Sequence, residues 1–510
     1  MASRPIDLLL VQPGGRTSVY QSLGSSLAAI EPPVWAGLMA SYVRRQGRSV
    51  ALLDANLDDL TPEVVAELVE DMRPRLVAVV TYGHQPSAST QTMPAAGAIC
   101  QAIKERTPAQ NVVLAGGHVA ALPTRTLQEE ACDFVLHDEG LASLDALIAA
   151  LSAGGTKLSS VPGLGWRDAD GQLRMNPASP LITTLDDQVQ GMAWDLIDVP
   201  RYRAHNWHAF GFESRQPYVS LYTTLGCPYH CSFCCIQAPF KGGEAAAGLP
   251  ASINSYRFWS PAGIVDDLAT LVERHGVRHV KIADEMFVLN RQHVLEICRL
   301  ITERGLDLNI WAYARVDTVK PGMLEALKRA GVNWLAFGIE AADERVQMDV
   351  GKRLLPASIR QVIRQVQEAG INVIGNYIFG LPEDDRLTMQ ATLDLAIELN
   401  CEFANFYTAM AYPGSPLYAQ ALANGWALPK TWAGYSQHAA DTLPLPTKYL
   451  GAGEVLAFRD EAFRQYYGDP SYLASIERKF GRATRDGLQA MSVHRLRRDA
   501  VNNVVVPAIA

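Results

Sequence analysis

Three cysteines fall within eight residues: Cys227, Cys231 and Cys234, in the stretch Gly226-Cys-Pro-Tyr-His-Cys-Ser-Phe-Cys-Cys235. The spacing is C-x3-C-x2-C, and it follows an apolar, strand-like run over residues 219–224. Three thiolates on one short loop can hold three irons of a [4Fe–4S] cube, which leaves the fourth iron open to a small molecule. The alternative is a zinc knuckle, with His230 or Cys235 as its fourth ligand. Neighbouring side chains such as those of Cys234 and Cys235 splay apart, so Cys235 reads as a packed thiol beside the ligands.

Other chemistry-bearing residues recur at the ends of apolar runs. Asp284-Glu285 leaves a buried strand, where paired acids suit a cation. Arg315 offers a planar fork for a carboxylate. Glu340 and the segment Asn376-Tyr-Ile-Phe-Gly380 end the next two runs. Small residues mark the N-terminal third: Pro13-Gly14-Gly15, Ser87-Ala-Ser89, Gly116-Gly117-His118 and Asp138-Glu139-Gly140. Glycine lets backbone come close to a bulky ligand.

The elements that must position these residues alternate in type. Residues 6–150 read as strands at 7–11, 50–53, 76–81, 111–115 and 134–136, with helices at 34–46, 62–72, 89–106 and 141–151. That alternation predicts an α/β, doubly wound, Rossmann-like sheet, which binds ligands beyond the carboxyl ends of its strands. From residue 219 the rhythm resumes with six strands, predicting a partial (β/α)6 TIM-type barrel with its chemistry at the strand ends. The expected domains are 1–155, a 156–215 linker with a hairpin around Asp170-Gly171, 216–420, and a mostly α segment 421–510. Residues 236–260 read as a long loop, a candidate lid, and Arg495-Leu-Arg-Arg498 as a solvated helix face.

Composition narrows the class. A net charge of −8 with scattered basic residues does not predict a nucleic-acid partner. No apolar run has membrane-spanning length, and no secretory leader is expected. Eight cysteines, four of them in one loop, suggest a reducing, cytoplasmic setting.

On these motifs the chain resembles the cobalamin (B12)-dependent radical S-adenosylmethionine (SAM) family over about residues 5–420. The resemblance implies a cobalamin-binding domain, then a radical SAM barrel whose three cysteines hold a [4Fe–4S] cluster. It implies SAM contacts at Asp284, Glu285, Arg315, Glu340, Ile378 and Gly380, with Phe233 beside the adenine. It implies cobalamin contacts at Gly14, Gly15, Ser87, Ser89, Gly116, Gly117, His118, Glu139 and Gly140. The family's Asp-x-His-x-x-Gly motif is missing, since residues 54–59 read Asp-Ala-Asn-Leu-Asp-Asp. His84 then stands as a weak candidate for cobalt, against a plain backbone-bonded loop histidine. His118 reads as a hydrogen-bonding rather than metal-binding group. The implied activity is methylation of an unactivated carbon of a small-molecule substrate, fed by an electron donor such as flavodoxin or ferredoxin. The alternatives are non-methylating chemistry such as oxidative cyclisation, a domain that no longer binds cobalamin, and a cobalamin sensor or carrier.

Overall fold

The computed structural model describes residues 6–16, 19, 21, 28–83 and 87–502. The first strands are short apolar runs with no polar side, of the type Leu76-Val-Ala-Val-Val80, so both faces must be covered. Strands β1 (Leu8–Gln12), β2 (Val50–Asp54), β3 (Leu76–Val80), β4 (Val112–Ala115) and β5 (Phe134–Leu136) run parallel in the order β2-β1-β3-β4-β5. Helices Val34–Arg45 and Leu141–Ser152 share one core with Leu8 and Leu10. Helices Pro62–Met72 and Met93–Arg106 share the other with Leu9 and Val11.

Two expectations change here. The helix predicted from residue 89 is broken into Ala88–Gln91 and Met93–Arg106. Pro94 lacks an N–H and fits only a first turn, so a new helix starts there. The hairpin β6 (Leu164–Arg167) and β7 (Leu173–Met175) joins β5 antiparallel, extending the sheet to seven strands. It covers what would otherwise be an open strand edge.

The second sheet is the expected partial barrel. Strands β8 (Tyr218–Leu221), β11 (His279–Ile282), β12 (Asn309–Ala314), β13 (Val332–Glu340), β14 (Asn372–Phe379) and β15 (Phe403–Thr408) lie parallel in that order. Helices follow in sequence, and Ser260, Asn290 and Asp385 cap the starts of three of them by accepting backbone N–H bonds. Residues 236–260 are not a loop. They form helix Ala238–Ala246 and β10 (Arg257–Phe258), which pairs antiparallel with β9 (Thr224–Leu225). The buried Glu244 carboxylate fixes this segment by accepting from Gln237 Nε2 at 2.6 Å and from Ser255 N at 2.6 Å.

The C-terminal helices Ala452–Gly468, Pro470–Phe480 and Arg482–Ser492 close the free edge at β15. The Tyr467 hydroxyl accepts from Ala404 N at 3.1 Å and donates to Ala404 O at 2.7 Å, replacing a missing strand partner. Arg498 is not on a solvated face. It is buried, 2.9 Å from Asp460 and 2.8 Å from the Gln437 carbonyl, because an unpartnered buried guanidinium would be costly. Among the described residues no helix is long and apolar enough to cross a membrane.

Candidate active site

One cavity of about 630 Å³ lies between the carboxyl ends of the first sheet, the barrel interior and the C-terminal helices. Trp35, Tyr82, Tyr222, Phe233, Trp311 and Tyr313 line it with aromatic surface. Trp35 stacks on Tyr82 with ring centres 4.2 Å apart, where the two sheets meet. Two buried hydroxyls on the cavity wall, Tyr82 Oη and Ser220 Oγ, have no hydrogen-bond partner among the described residues. Such groups await a polar ligand.

The cysteine loop is held from every side. Asp284 is fully buried and accepts from Thr223 N at 2.6 Å, Thr224 N at 3.0 Å and the Thr223 hydroxyl, fixing the turn before the loop. Gly226 has φ +88°, and a Cβ there would sit 2.3 Å from Ser255 O. The Gln237 side chain accepts from Cys227 N at 3.1 Å, and Ser232 N donates to Val350 O at 3.1 Å. Burial pushes the Cys227 and Cys235 thiols up to about 12, and Cys234 well above the usual thiol range. Metal binding would therefore release the protons of Cys227 and Cys234. Among the described residues no three His, Cys, Asp or Glu side chains converge on a single metal ion. Three thiols on one loop, Cys227, Cys231 and Cys234, are a donor set that fits a [4Fe–4S] cluster. Cys234 and Cys235 line the cavity, and Cys227 and Cys231 do not.

The barrel rims hold the sequence-predicted acids, in distinct environments. Glu285 is half-buried on the cavity wall, and loss of hydration raises its carboxyl to about 8 against the pull of Lys281. Glu340 lines the cavity at a bulge with φ +63°, and Lys352 Nζ lies 2.6 Å from its carboxylate. Ile378 and Phe233 also line the cavity.

Several expected contacts are placed otherwise. The Asp284 carboxylate is taken by the Thr223–Thr224 turn and does not line the cavity. Arg315 grips Asp317 at 3.0 and 3.1 Å, lies over the Tyr229 ring, and sets Nη1 3.9 Å from Cys231 Sγ. It therefore borders the cluster loop rather than presenting a free fork to the cavity. Gly380, with φ +79°, is demanded by Val455, whose methyl would lie 2.4 Å from an added Cβ.

On the N-terminal side Gly14, Gly15 and Ser87 line the cavity. Ser89, Gly116, Gly117, His118, Glu139 and Gly140 do not. Ser89 Oγ donates to Thr81 O and accepts from His118 N at 2.9 Å, and Gly116 (φ +149°) leaves room for Thr81. His118 Nδ1 bonds Thr90 Oγ1 at 3.1 Å, and burial drives its imidazole down to about 3. That is the hydrogen-bonding histidine expected. Glu139 pairs with Arg257, and Gly140 takes φ +85° before a helix, against Met39. His84 lies outside the described residues.

Sequence reasoning missed a buried ion pair. Lys281 Nζ, on β11, lies 2.9 Å from Glu31 of the N-terminal third, and its side chain is 1 % exposed. Glu31 lines the cavity. The available signal was a lysine inside the apolar run His279-Val-Lys-Ile282.

Comparison with known proteins agrees with this architecture. The family description "Radical SAM superfamily" matches residues 221–396, and "B12 binding domain" matches residues 20–148. An uncharacterized methyltransferase of Pyrococcus horikoshii is 27% identical over 469 residues, 92% of this chain and 94% of that protein. The anaerobic magnesium-protoporphyrin IX monomethyl ester cyclase of Cereibacter sphaeroides is 26% identical, over 88% of this chain and 69% of that protein. Among solved structures, the radical S-adenosylmethionine methyltransferase TsrM of Kitasatospora setae superposes with a TM-score of 0.64 at 17% identity, covering 91% of this chain and 89% of that one.

Proposed function

We propose that this chain, whose residues 221–396 match the radical SAM superfamily and whose residues 20–148 match a B12 binding domain, methylates an unactivated carbon of a small metabolite. Its cofactors are a [4Fe–4S] cluster, SAM and cobalamin, which together supply a hydrogen-abstracting radical and a transferable methyl group. The observation that carries the reading is the shared cavity: Cys234 and Glu285 of the barrel face the same space as Gly14 and Gly15 of the first sheet.

The chain's own residues have definable tasks there. Cys227, Cys231 and Cys234 would hold the cluster through thiolates. Glu285, ionised, would take the ammonium of SAM, and Phe233 and Ile378 would flank its adenine. Gly14, Gly15 and Ser87 would border the corrin. The aromatic wall of Trp35, Tyr82, Tyr222 and Trp311 would give the reacting groups an apolar enclosure. Enclosure on three sides keeps the reacting groups within one small volume. A cytoplasmic setting with flavodoxin or ferredoxin as electron source completes the reading.

The test is anaerobic turnover with methyl-labelled SAM and a pool of candidate metabolites, read by mass spectrometry. Label in a product carbon supports methylation. Cleavage of SAM with an oxidised, unlabelled product would instead assign cyclase-type chemistry, in line with the 26% identical cyclase.

A further inference from the structure

The loop after β1 ends in Arg16, and this guanidinium lines the cavity. Its Nε and Nη1 are shut off from solvent, and among the described residues no acceptor, carboxylate or otherwise, meets them. The neighbourhood is positive as well. Arg203 is held below the usual arginine range by burial and then by the charge of Arg16. Arg215 is pushed down to about 10 by burial and then by Arg203. Arg215 is anchored, with Nε donating to Ala204 O at 2.7 Å and Nη2 to Ala28 O at 3.0 Å.

Arg16 repels Arg203, which in turn repels Arg215, and a buried donor without an acceptor carries a desolvation cost. An anion relieves both. Arginine's planar fork suits an oxyanion that can accept two parallel N–H bonds. Gly14 and Gly15, just before Arg16, also line the cavity and leave its backbone wall free of side chains.

We propose that Arg16 anchors an oxyanion subsite in this cavity, taking a phosphate-type group of a bound molecule. The proposal rests on the cavity being the joint cofactor and substrate chamber. The group then belongs to the phosphodiester of cobalamin or to an anionic substrate, and one chemistry serves both.

The experiment uses full-length protein, prepared anaerobically as wild type, Arg16→Ala and Arg16→Lys, with thermal melts to confirm folding. Arg16→Gln replaces Arg16→Ala if the latter does not fold. Inorganic phosphate is titrated against the fluorescence of the cavity tryptophans Trp35, Trp207 and Trp311. Hydroxocobalamin and cobinamide, which lacks the phosphodiester and nucleotide, are titrated by absorbance. Arg16→Ala is expected to weaken phosphate binding at least about ten-fold, the effect of one lost charge-assisted bond, with partial recovery in Arg16→Lys. Loss of hydroxocobalamin affinity in Arg16→Ala, with cobinamide unchanged, supports the subsite and assigns the group to the cofactor. Unchanged binding of both corrinoids, with phosphate bound by the corrinoid-loaded wild type and lost in Arg16→Ala, supports it and assigns the group to the substrate. Equal binding of phosphate and both corrinoids by all variants overturns the subsite while leaving the cobalamin reading intact. A protein that binds phosphate through Arg16 but takes up no corrinoid keeps the subsite and overturns that reading.

Discussion

Glu139, just past β5, lies 2.8 Å from the Arg257 guanidinium of β10, and both side chains are 7 % exposed. Ile182 ties the pair, donating its N–H to Glu139 at 3.2 Å while its carbonyl accepts from Arg257 Nη1 at 2.7 Å. A buried charge left without its partner is costly, so Glu139→Gln or Arg257→Met should each lower stability by about 3–5 kcal/mol. The double variant Glu139→Gln/Arg257→Met should cost less than the two single changes added. Denaturant unfolding of the four proteins checks the coupling, and additive losses would refute it.

Glu285 should give SAM binding a pH dependence. Its carboxyl is raised to about 8, so the anion that attracts an ammonium forms only as pH climbs through that value. SAM affinity should rise across that step, and Glu285→Gln should flatten the profile. Lys281→Met should move the midpoint upward, since Lys281 favours the charged form. Equilibrium dialysis over about pH 6–10 reads this directly. The sign for folding is the reverse: a raised carboxyl contributes stability at low pH, lost as pH rises through its folded value.

Gly380→Ala should destabilise the fold by about 1–3 kcal/mol, because it combines left-handed backbone with overlap against Val455. Val455→Ala should restore only the part due to overlap. Melting temperatures of the single and double variants separate the two causes.

Iron and sulfide analysis of anaerobically reconstituted protein should distinguish the cysteines. Cys227→Ala, Cys231→Ala and Cys234→Ala should each lose the cluster, while Cys235→Ala should retain it. Loss of iron in Cys235→Ala would return the loop to a four-ligand site.

Histidines held neutral by the fold should make the protein acid-sensitive. Burial lowers His118 and His438 to about 3 and His293 to about 4. Each stays neutral in the fold but gains a proton when unfolded below about pH 6.5. Their contribution is complete above that value and is lost as pH falls toward the folded values. The histidine contribution to the melting temperature should be constant above about pH 6.5 and decline below it, so the wild type should lose more on acidification than His118→Gln.

The strands were legible in the sequence because most are continuous apolar runs, and the cysteine loop because three thiols on one turn have few other uses. The motifs at successive barrel strands were legible in position but not in partner. Arg315 appeared free for a ligand because Asp317, two residues on, gives no signal that it will fold back onto the guanidinium. Asp284 appeared to be a site acid because its acceptance of the Thr223–Thr224 N–H groups bridges 60 residues of chain. Lys281 and Glu31 lie 250 residues apart, and no local pattern pairs them. Residues 236–260 looked like a loop because their glycines suggest freedom, whereas Gly243 is there to admit Leu181.

The Tyr467 hydroxyl that completes β15 belongs to the same helix as Arg459, Phe463 and Arg464, which wall the cavity. The element that finishes the barrel is therefore also a wall of the cavity, while the cysteine loop stands on another wall. Exchanging that terminal segment would reshape one wall of the cavity without touching the anchors of the cysteine loop, provided the replacement still brings a hydroxyl to the exposed strand.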